Sequence, residues 1–388
     1  MTMITPYTAV AVQTVIRHVK DPAWRDEIVR ENVNRSLSLM DYVSHRFGAA
    51  KLFVLPEFSL TGAEHLRTVD EWTKVALQIP GPELDPLAQF ARDNDAYVGG
   101  GTMEYDPNYP GRWFNSAYLF GPTGELLIRY RKINGADVQG HTTYSTPPAL
   151  YDLYVKTEGG EDALFPVVDT PIGRLGVINC YDINFPEMVR TFALHGAEVL
   201  LHVTGEPYSP HRDIWEMSRR TRAFENIMYI ISANHGGYVA QIAGDTFADA
   251  PGLNFQQRME GEIAPLQRSH GGSKIVDFNG NVVGQSQSPG EALALGSIDI
   301  EALRERRAEI NGNILAQVRS ELYAKEYARH RASPLNRWLD HPIQDRSEGS
   351  LNTREVIERY IRNGVYVAPE GYEFQTEEDE SADRRATA

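Results

Sequence analysis

The chain reads as an α/β protein, a layered domain of mixed sheets followed by a C-terminal extension. Apolar runs of strand length alternate with stretches of helical period from about residue 10 to residue 233. Hairpin signals interrupt that alternation at Gly121-Pro122-Thr123-Gly124 and Asn279-Gly280-Asn281, so the sheets are not purely parallel. With 41% hydrophobic residues in 388, the chain can bury a large core.

The elements follow in order. Residues 10–12 form a first strand. Residues 26–47 form a helix whose apolar face carries Ile28, Val33, Leu37, Met40, Val43 and Phe47. Leu52-Phe53-Val54-Leu55 is a strand that runs into Glu57. Pro80-Gly81-Pro82 punctuates, residues 84–94 are helical, and residues 97–102 form a strand containing Gly99-Gly100-Gly101. That triplet opens no helix and marks close packing, not a phosphate loop. Residues 116–120 and 126–132 pair across the first hairpin signal. Residues 133–164 read as an irregular segment, longer than an ordinary loop and therefore functional or partly structured. A strand then leads to Cys180. A helix over 186–194 begins with Pro186 and ends before Gly196. Strands at 198–203 and 227–233 flank a helix at 211–225, and residues 273–278 pair with 282–285. No internal repeat is visible in the sequence.

Four regions are expected: a leader-like segment over 1–7, a catalytic domain over 8–300, an extension over 301–374 that packs on a neighbouring subunit, and an acidic, disordered tail over 375–388. Met1-Thr2-Met3-Ile4-Thr5 resembles a β-galactosidase leader and is set aside from the fold. The net charge of -15 argues against nucleic acid as a partner. No apolar stretch approaches the ~20 residues of a membrane helix, and no signal peptide is evident. The single cysteine excludes an internal disulfide and fits a reducing cytoplasm.

That cysteine, Cys180, stands where a strand ends and a helix is about to begin. Such an elbow holds the thiol clear of the backbone, and the free N–H groups of the coming helix favour its anion. Glu57 and Lys132 also follow strands. Hydrolysis through a thiol needs a nucleophile, a base and positive charge for an oxyanion, and Cys180, Glu57 and Lys132 supply one each. A glutamate suits the base role when burial raises its pKa toward neutrality. Singly, each residue has an ordinary reading as a buried thiol, a loop acid or a surface lysine. Their order and surroundings favour the functional one.

Leu55-Pro56-Glu57-Phe58-Ser59-Leu60-Thr61-Gly62, Tyr130-Arg131-Lys132-Ile133 and Cys180-Tyr181-Asp182-Ile183-Asn184-Phe185-Pro186-Glu187 resemble the three catalytic blocks of the nitrilase, or carbon–nitrogen hydrolase, superfamily. Arg222-Ala223-Phe224-Glu225-Asn226 and Gly271-Gly272-Ser273 resemble later blocks. The resemblance covers roughly residues 8–300. It implies a four-layer α-β-β-α sandwich that pairs into homodimers or larger homo-oligomers, with no cofactor and no metal. It also implies Glu57 as general base, Lys132 as oxyanion lysine and Cys180 as nucleophile, with the N–H of Tyr181 as a second donor.

Tyr181-Asp182 after the cysteine resembles the amidase side of the superfamily. Branches that bind substrate carboxylates tend to carry Arg where this chain has Asn184, which points to a small neutral amide as substrate. His202-Val203-Thr204-Gly205 and the long extension resemble aliphatic amidases and formamidases. Thr204, Glu206, Asn184 and Gln139 are further candidates for substrate contact. The second glutamate common after the family's lysine is missing. Gln139, Asp137, Glu158 or Glu161 is expected in its place. Nitrile hydrolysis, N-carbamoyl hydrolysis and a catalytically silent binding homologue are the alternatives.

Overall fold

The computed structural model describes residues 3–48, 50–62, 68–135, 145–206, 212–237, 271–343 and 346–374. Two six-stranded sheets stack face to face, in the orders β12-β1-β2-β3-β4-β5 and β11-β10-β9-β8-β7-β6. The first contains β1 (Tyr7–Gln13), β2 (Leu52–Val54), β3 (Tyr97–Tyr105), β4 (Trp113–Phe120), β5 (Leu126–Arg131) and β12 (Ala292–Ile298). The second contains β6 (Val167–Thr170), β7 (Gly173–Asn179), β8 (Val199–Val203), β9 (Tyr229–Ala233), β10 (Lys274–Val276) and β11 (Val282–Gln285).

Each sheet has a central parallel trio, β1-β2-β3 or β7-β8-β9, with antiparallel strands on both sides. The pairing pattern therefore repeats although the sequence does not. Helices α1 (Arg25–Phe47) and α3 (Asp85–Asp93) cover the first sheet, and α5 (Pro186–Leu194) and α6 (Arg212–Asn226) cover the second. The expected α-β-β-α layering is present.

Strand alternation builds the layers. Ala9 and Ala11 face the core between the sheets, while Val10 and Val12 face α1 and α3. Gly99 has a packing cause: a Cβ there would lie 2.5 Å from Leu201 Cδ2 of the opposing sheet. The Asn279-Gly280-Asn281 turn is locked by Asp277, whose Oδ1 accepts the N–H groups of Asn279 and Asn281.

Four expectations need correction. Phe47 is 59% exposed because it lies in the last turn of α1, past Val43, the last buried residue of the helix; its ring sits edge-on to that of Tyr42. The irregular segment contains helix α4 (Tyr151–Glu158), closed by left-handed Gly159. Helix α2 (Val69–Val75) and strands β6 and β12 lacked a clear period and were not foreseen. Beyond residue 300 the chain is more helical than its prolines suggest, with α7 (Ile300–Ala308), α8 (Ser320–Arg329) and α9 (Arg346–Arg362). Ile300 and Leu303 are buried in the main core, whereas Leu322, Tyr323 and Tyr327 of α8 are exposed.

Helix α4 is tied to β5 by charge. Arg131, fully buried, bonds Glu104 (2.6 Å), Asp106 (2.5 Å) and Glu158 of α4 (2.7 Å). Its guanidinium lies over the rings of Phe114 (4.4 Å) and Tyr109 (4.7 Å). Tyr109 and Phe114 thus pack around a buried cation. Burial pushes the Asp106 carboxyl up, but the Asn108 N–H and the charges of Arg131 and Arg129 more than offset it and hold it low. Replacing Arg131 with Met leaves buried carboxylates without their cation and is expected to cost about 3–5 kcal/mol in urea unfolding. Because Asp106 is held low in the folded state, its stabilising contribution is complete at neutral pH. It is lost as pH falls through the ordinary carboxylate range, about 4, and below.

Candidate active site

The parallel trios place their C-terminal ends at a common edge, where ligands of open α/β sheets are usually held. Glu57 follows β2, Lys132 follows β5 and Cys180 follows β7, and the two sheets bring all three together. Their relative exposures are 1%, 3% and 6%, so the cluster is shielded from bulk water.

Glu57 is the hub. Its Oε1 accepts from Lys132 Nζ at 2.8 Å and from Asn115 Nδ2 at 2.7 Å. The Cys180 thiol lies beside this carboxylate and favours its ionised form. The Glu57 backbone is held by the second sheet. Its N–H donates to the Thr204 carbonyl at 3.3 Å, and its C=O accepts from His235 Nε2 at 2.6 Å. Phe58, next in the chain, has a left-handed φ of 54°, which turns the chain back after the glutamate.

Burial drives the Glu57 carboxyl up. Lys132's charge and hydrogen bond, with those from Asn115 and Cys180, outweigh it and leave the pKa below its ordinary value. The expectation of a glutamate raised toward neutrality is therefore corrected: a cation in direct contact decides the sign.

Cys180 also differs from expectation. It opens a 3-10 turn over Cys180–Asn184, with a left-handed φ of 48°. Helix α5 starts only at Pro186, too far along the chain to favour the anion. Burial, then the negative charge of Glu57, push the thiol up to about 11, against opposing effects of Lys132, Thr204 and the Gly205 N–H. The resting cluster is a thiol, a carboxylate and an ammonium.

The surrounding polar groups fix this geometry. Asn115 on β4 donates to Glu57 and accepts from Asn179 Nδ2 at 2.7 Å, linking base and nucleophile strands. Asp182 accepts from Tyr130 Oη at 2.6 Å and from the Asn134 N–H at 2.9 Å, anchoring the nucleophile turn to the chain around Lys132. His202 Nε2 contacts the Cys180 carbonyl at 2.9 Å. Gly205 leaves little room for a side chain: a Cβ there would lie 3.0 Å from Glu57 Oε2 and 3.1 Å from the His235 ring, so both would have to give by a few tenths of an ångström.

The remaining candidates divide. Thr204 is buried beside Cys180 and donates to Glu206 at 3.0 Å. Glu206 is buried and paired with Arg219. Tyr181 packs its half-buried ring on Phe185 and Trp215. The Asn184 side chain accepts from Ser218 of α6 at 3.3 Å, a structural contact. Gln139 and Asp137 lie outside the described residues. Glu158 does not replace the missing glutamate, being bonded to Arg129, Arg131 and Tyr109. Glu161 bonds exposed Tyr151 instead. Asn115, His235 and Arg219 were missed by sequence reasoning. The available signal was a polar residue inside an apolar strand, as in Trp113-Phe114-Asn115-Ser116-Ala117. Among the described residues, no group of three His, Cys, Asp or Glu side chains is placed to hold a metal ion.

Alkylation of Cys180 by iodoacetamide is expected to reach half its maximal rate well above neutral pH. Glu57→Gln removes the nearest negative charge and should move that midpoint down, as read from rates across a pH series. An unchanged midpoint would contradict the electrostatics described here.

Residues 16–308 match the family model for carbon-nitrogen hydrolases. The chain is 28% identical over 308 residues to omega-amidase NIT2 of Homo sapiens, spanning 77% of this chain and 93% of that protein. It is 32% identical over 192 residues to a formamidase of Bacillus thuringiensis, a match that spans 48% of this chain and only 51% of the formamidase. In fold it is similar to Saccharomyces cerevisiae Nit3, a member of branch 10 of the nitrilase superfamily. The TM-score is 0.58 at 20% identity, over 80% of this chain and 96% of Nit3.

Proposed function

This chain belongs to the carbon-nitrogen hydrolase family, and we propose that it hydrolyses a small neutral amide through a thioester on Cys180. The observation that carries the reading is the buried contact of one thiol, one carboxylate and one ammonium, with Lys132 Nζ 2.8 Å from Glu57 Oε1. The similarity to an omega-amidase and a formamidase supports an amide as substrate.

The geometry suits the following sequence. Glu57 takes the Cys180 proton as sulfur attacks the amide carbon, so the thiolate forms only when it is used. Lys132 and the Tyr181 N–H stabilise the oxyanion. The leaving nitrogen takes the proton from Glu57 and departs as ammonia or an amine. Glu57 then removes a proton from water, which attacks the thioester, and the acid leaves as the proton returns to sulfur. A neutral substrate fits because Lys132 is matched by Glu57 and Arg219 by Glu206.

Residues 301–374 are proposed to cover a neighbouring copy with the exposed apolar side chains of α8. Sedimentation of the full chain as a monomer would reject that.

Ammonia release should be measured against simple amides, ureido acids and nitriles. Turnover of an amide is expected, and Cys180→Ala should lower it by a factor on the order of 10³ or more. Gly205→Ala, which pushes on Glu57, should lower it about 10²-fold with little change in thermal unfolding. Full turnover by Cys180→Ala would reject the mechanism, and turnover confined to nitriles or ureido acids would reject the substrate class.

A further inference from the structure

Arg219 of α6 is buried, 1% exposed in its side chain, and no step above uses it. Two hydrogen-bond branches leave its guanidinium, and both end at Cys180. In the first, Nη2 bonds Glu206, whose Oε1 also accepts from the Thr204 hydroxyl at 3.0 Å. Thr204 in turn is buried beside Cys180, where its hydroxyl favours the thiolate. In the second, Arg219 Nε donates to Ser232 Oγ at 2.9 Å. Ser232 Oγ is 2.8 Å from His202 Nδ1, and His202 Nε2 is 2.9 Å from the Cys180 carbonyl.

The chemistry of the second branch fixes a tautomer. A guanidinium only donates, so the Ser232 oxygen accepts from Arg219; the Cys180 carbonyl only accepts, so His202 Nε2 faces it as donor and Nδ1 is left to accept the Ser232 proton. The ring is neutral, because burial, then the charges of Arg219 and Lys132, hold its pKa well below the ordinary value. Its single proton is therefore on Nε2, aimed at the Cys180 carbonyl, which can only accept. That bond braces a residue whose φ of 48° is costly for any side chain but glycine.

We propose that Arg219 is the positioning residue of the nucleophile, holding the Cys180 carbonyl through Ser232 and His202 and its sulfur through Glu206 and Thr204. The carbonyl branch sets where the thiol stands. The sulfur branch supplies a hydroxyl that turns from Glu206 to the sulfur when the thiolate forms, while Arg219 continues to balance Glu206. The proposal rests on the amidase reading for its turnover measurements only.

The two branches are separable. Ser232→Ala leaves Arg219 paired with Glu206 but frees the His202 tautomer. It is expected to lower kcat about tenfold with KM within twofold, because the brace on the Cys180 carbonyl is weakened while the substrate contacts remain. His202→Gln presents an amide donor that has no tautomer. In that background Ser232→Ala should change kcat less than twofold. Glu206→Gln removes the charge that balances Arg219 and should shift the midpoint of Cys180 alkylation to lower pH. Thermal unfolding of each variant confirms folding. Wild-type kcat in Ser232→Ala, or an equal loss in both backgrounds, overturns the carbonyl branch. An unmoved alkylation midpoint in Glu206→Gln overturns the sulfur branch. If the wild-type chain hydrolyses no amide, the amidase reading falls, whereas alkylation rates of the same variants still decide this proposal.

Discussion

The buried ion pair of Glu57 and Lys132 is the constraint around which the site is built. Two charges removed from water cost several kcal/mol each, and one contact rarely restores that. Here Asn115 also donates to the carboxylate and the Cys180 thiol lies beside it, so the ion pair is not the only contact that offsets its desolvation. The pair spans β2 and β5, strands that share a sheet and a direction but are not neighbours, and it forms only when β4 and β5 fold back beside β3. Glu57 is at the same time held through its backbone by residues after β8 and β9. Closing the ion pair and docking the two sheets are thus one event.

That pairing sets the state of the thiol. A carboxylate beside Cys180 opposes ionisation more than the neighbouring ammonium favours it, and burial opposes it further. The cluster consequently holds Cys180 as a thiol with the Glu57 carboxylate already ionised beside it. Two histidines serve the same edge without carrying charge. Burial keeps the pKa values of both below the ordinary value, and each contacts a backbone carbonyl at a left-handed turn, His235 that of Glu57 before left-handed Phe58 and His202 that of left-handed Cys180 itself. Charge is confined to matched pairs, and neutral donors fix the backbone.

The segment after Lys132 shows a second use of paired charge. Arg131 gathers Glu104, Asp106 and Glu158, so the residue beside Lys132 is itself anchored. Glu158 could be read from the sequence as a substitute for a missing acid. Its commitment to this cation depends on α4 lying across β5, and nothing in the local pattern of residues 145–164 encodes that placement.

The sequence by itself determined the layered α/β class, both hairpins, the strands that carry Glu57, Lys132 and Cys180, and the family those residues belong to. These features are local: a period of two, a turn dipeptide and a reactive residue at a strand end are written within ten residues. The tertiary structure alone decided the signs of the pKa shifts, the fates of Glu158, Glu206 and Asn184, the burial of Asn115 and Arg219, and the exposure of Phe47. Each depends on what a distant segment places within a few ångströms. Desolvation and Coulomb attraction act through space, so residues as far apart as Glu57 and His235 settle what neither stretch of sequence can state.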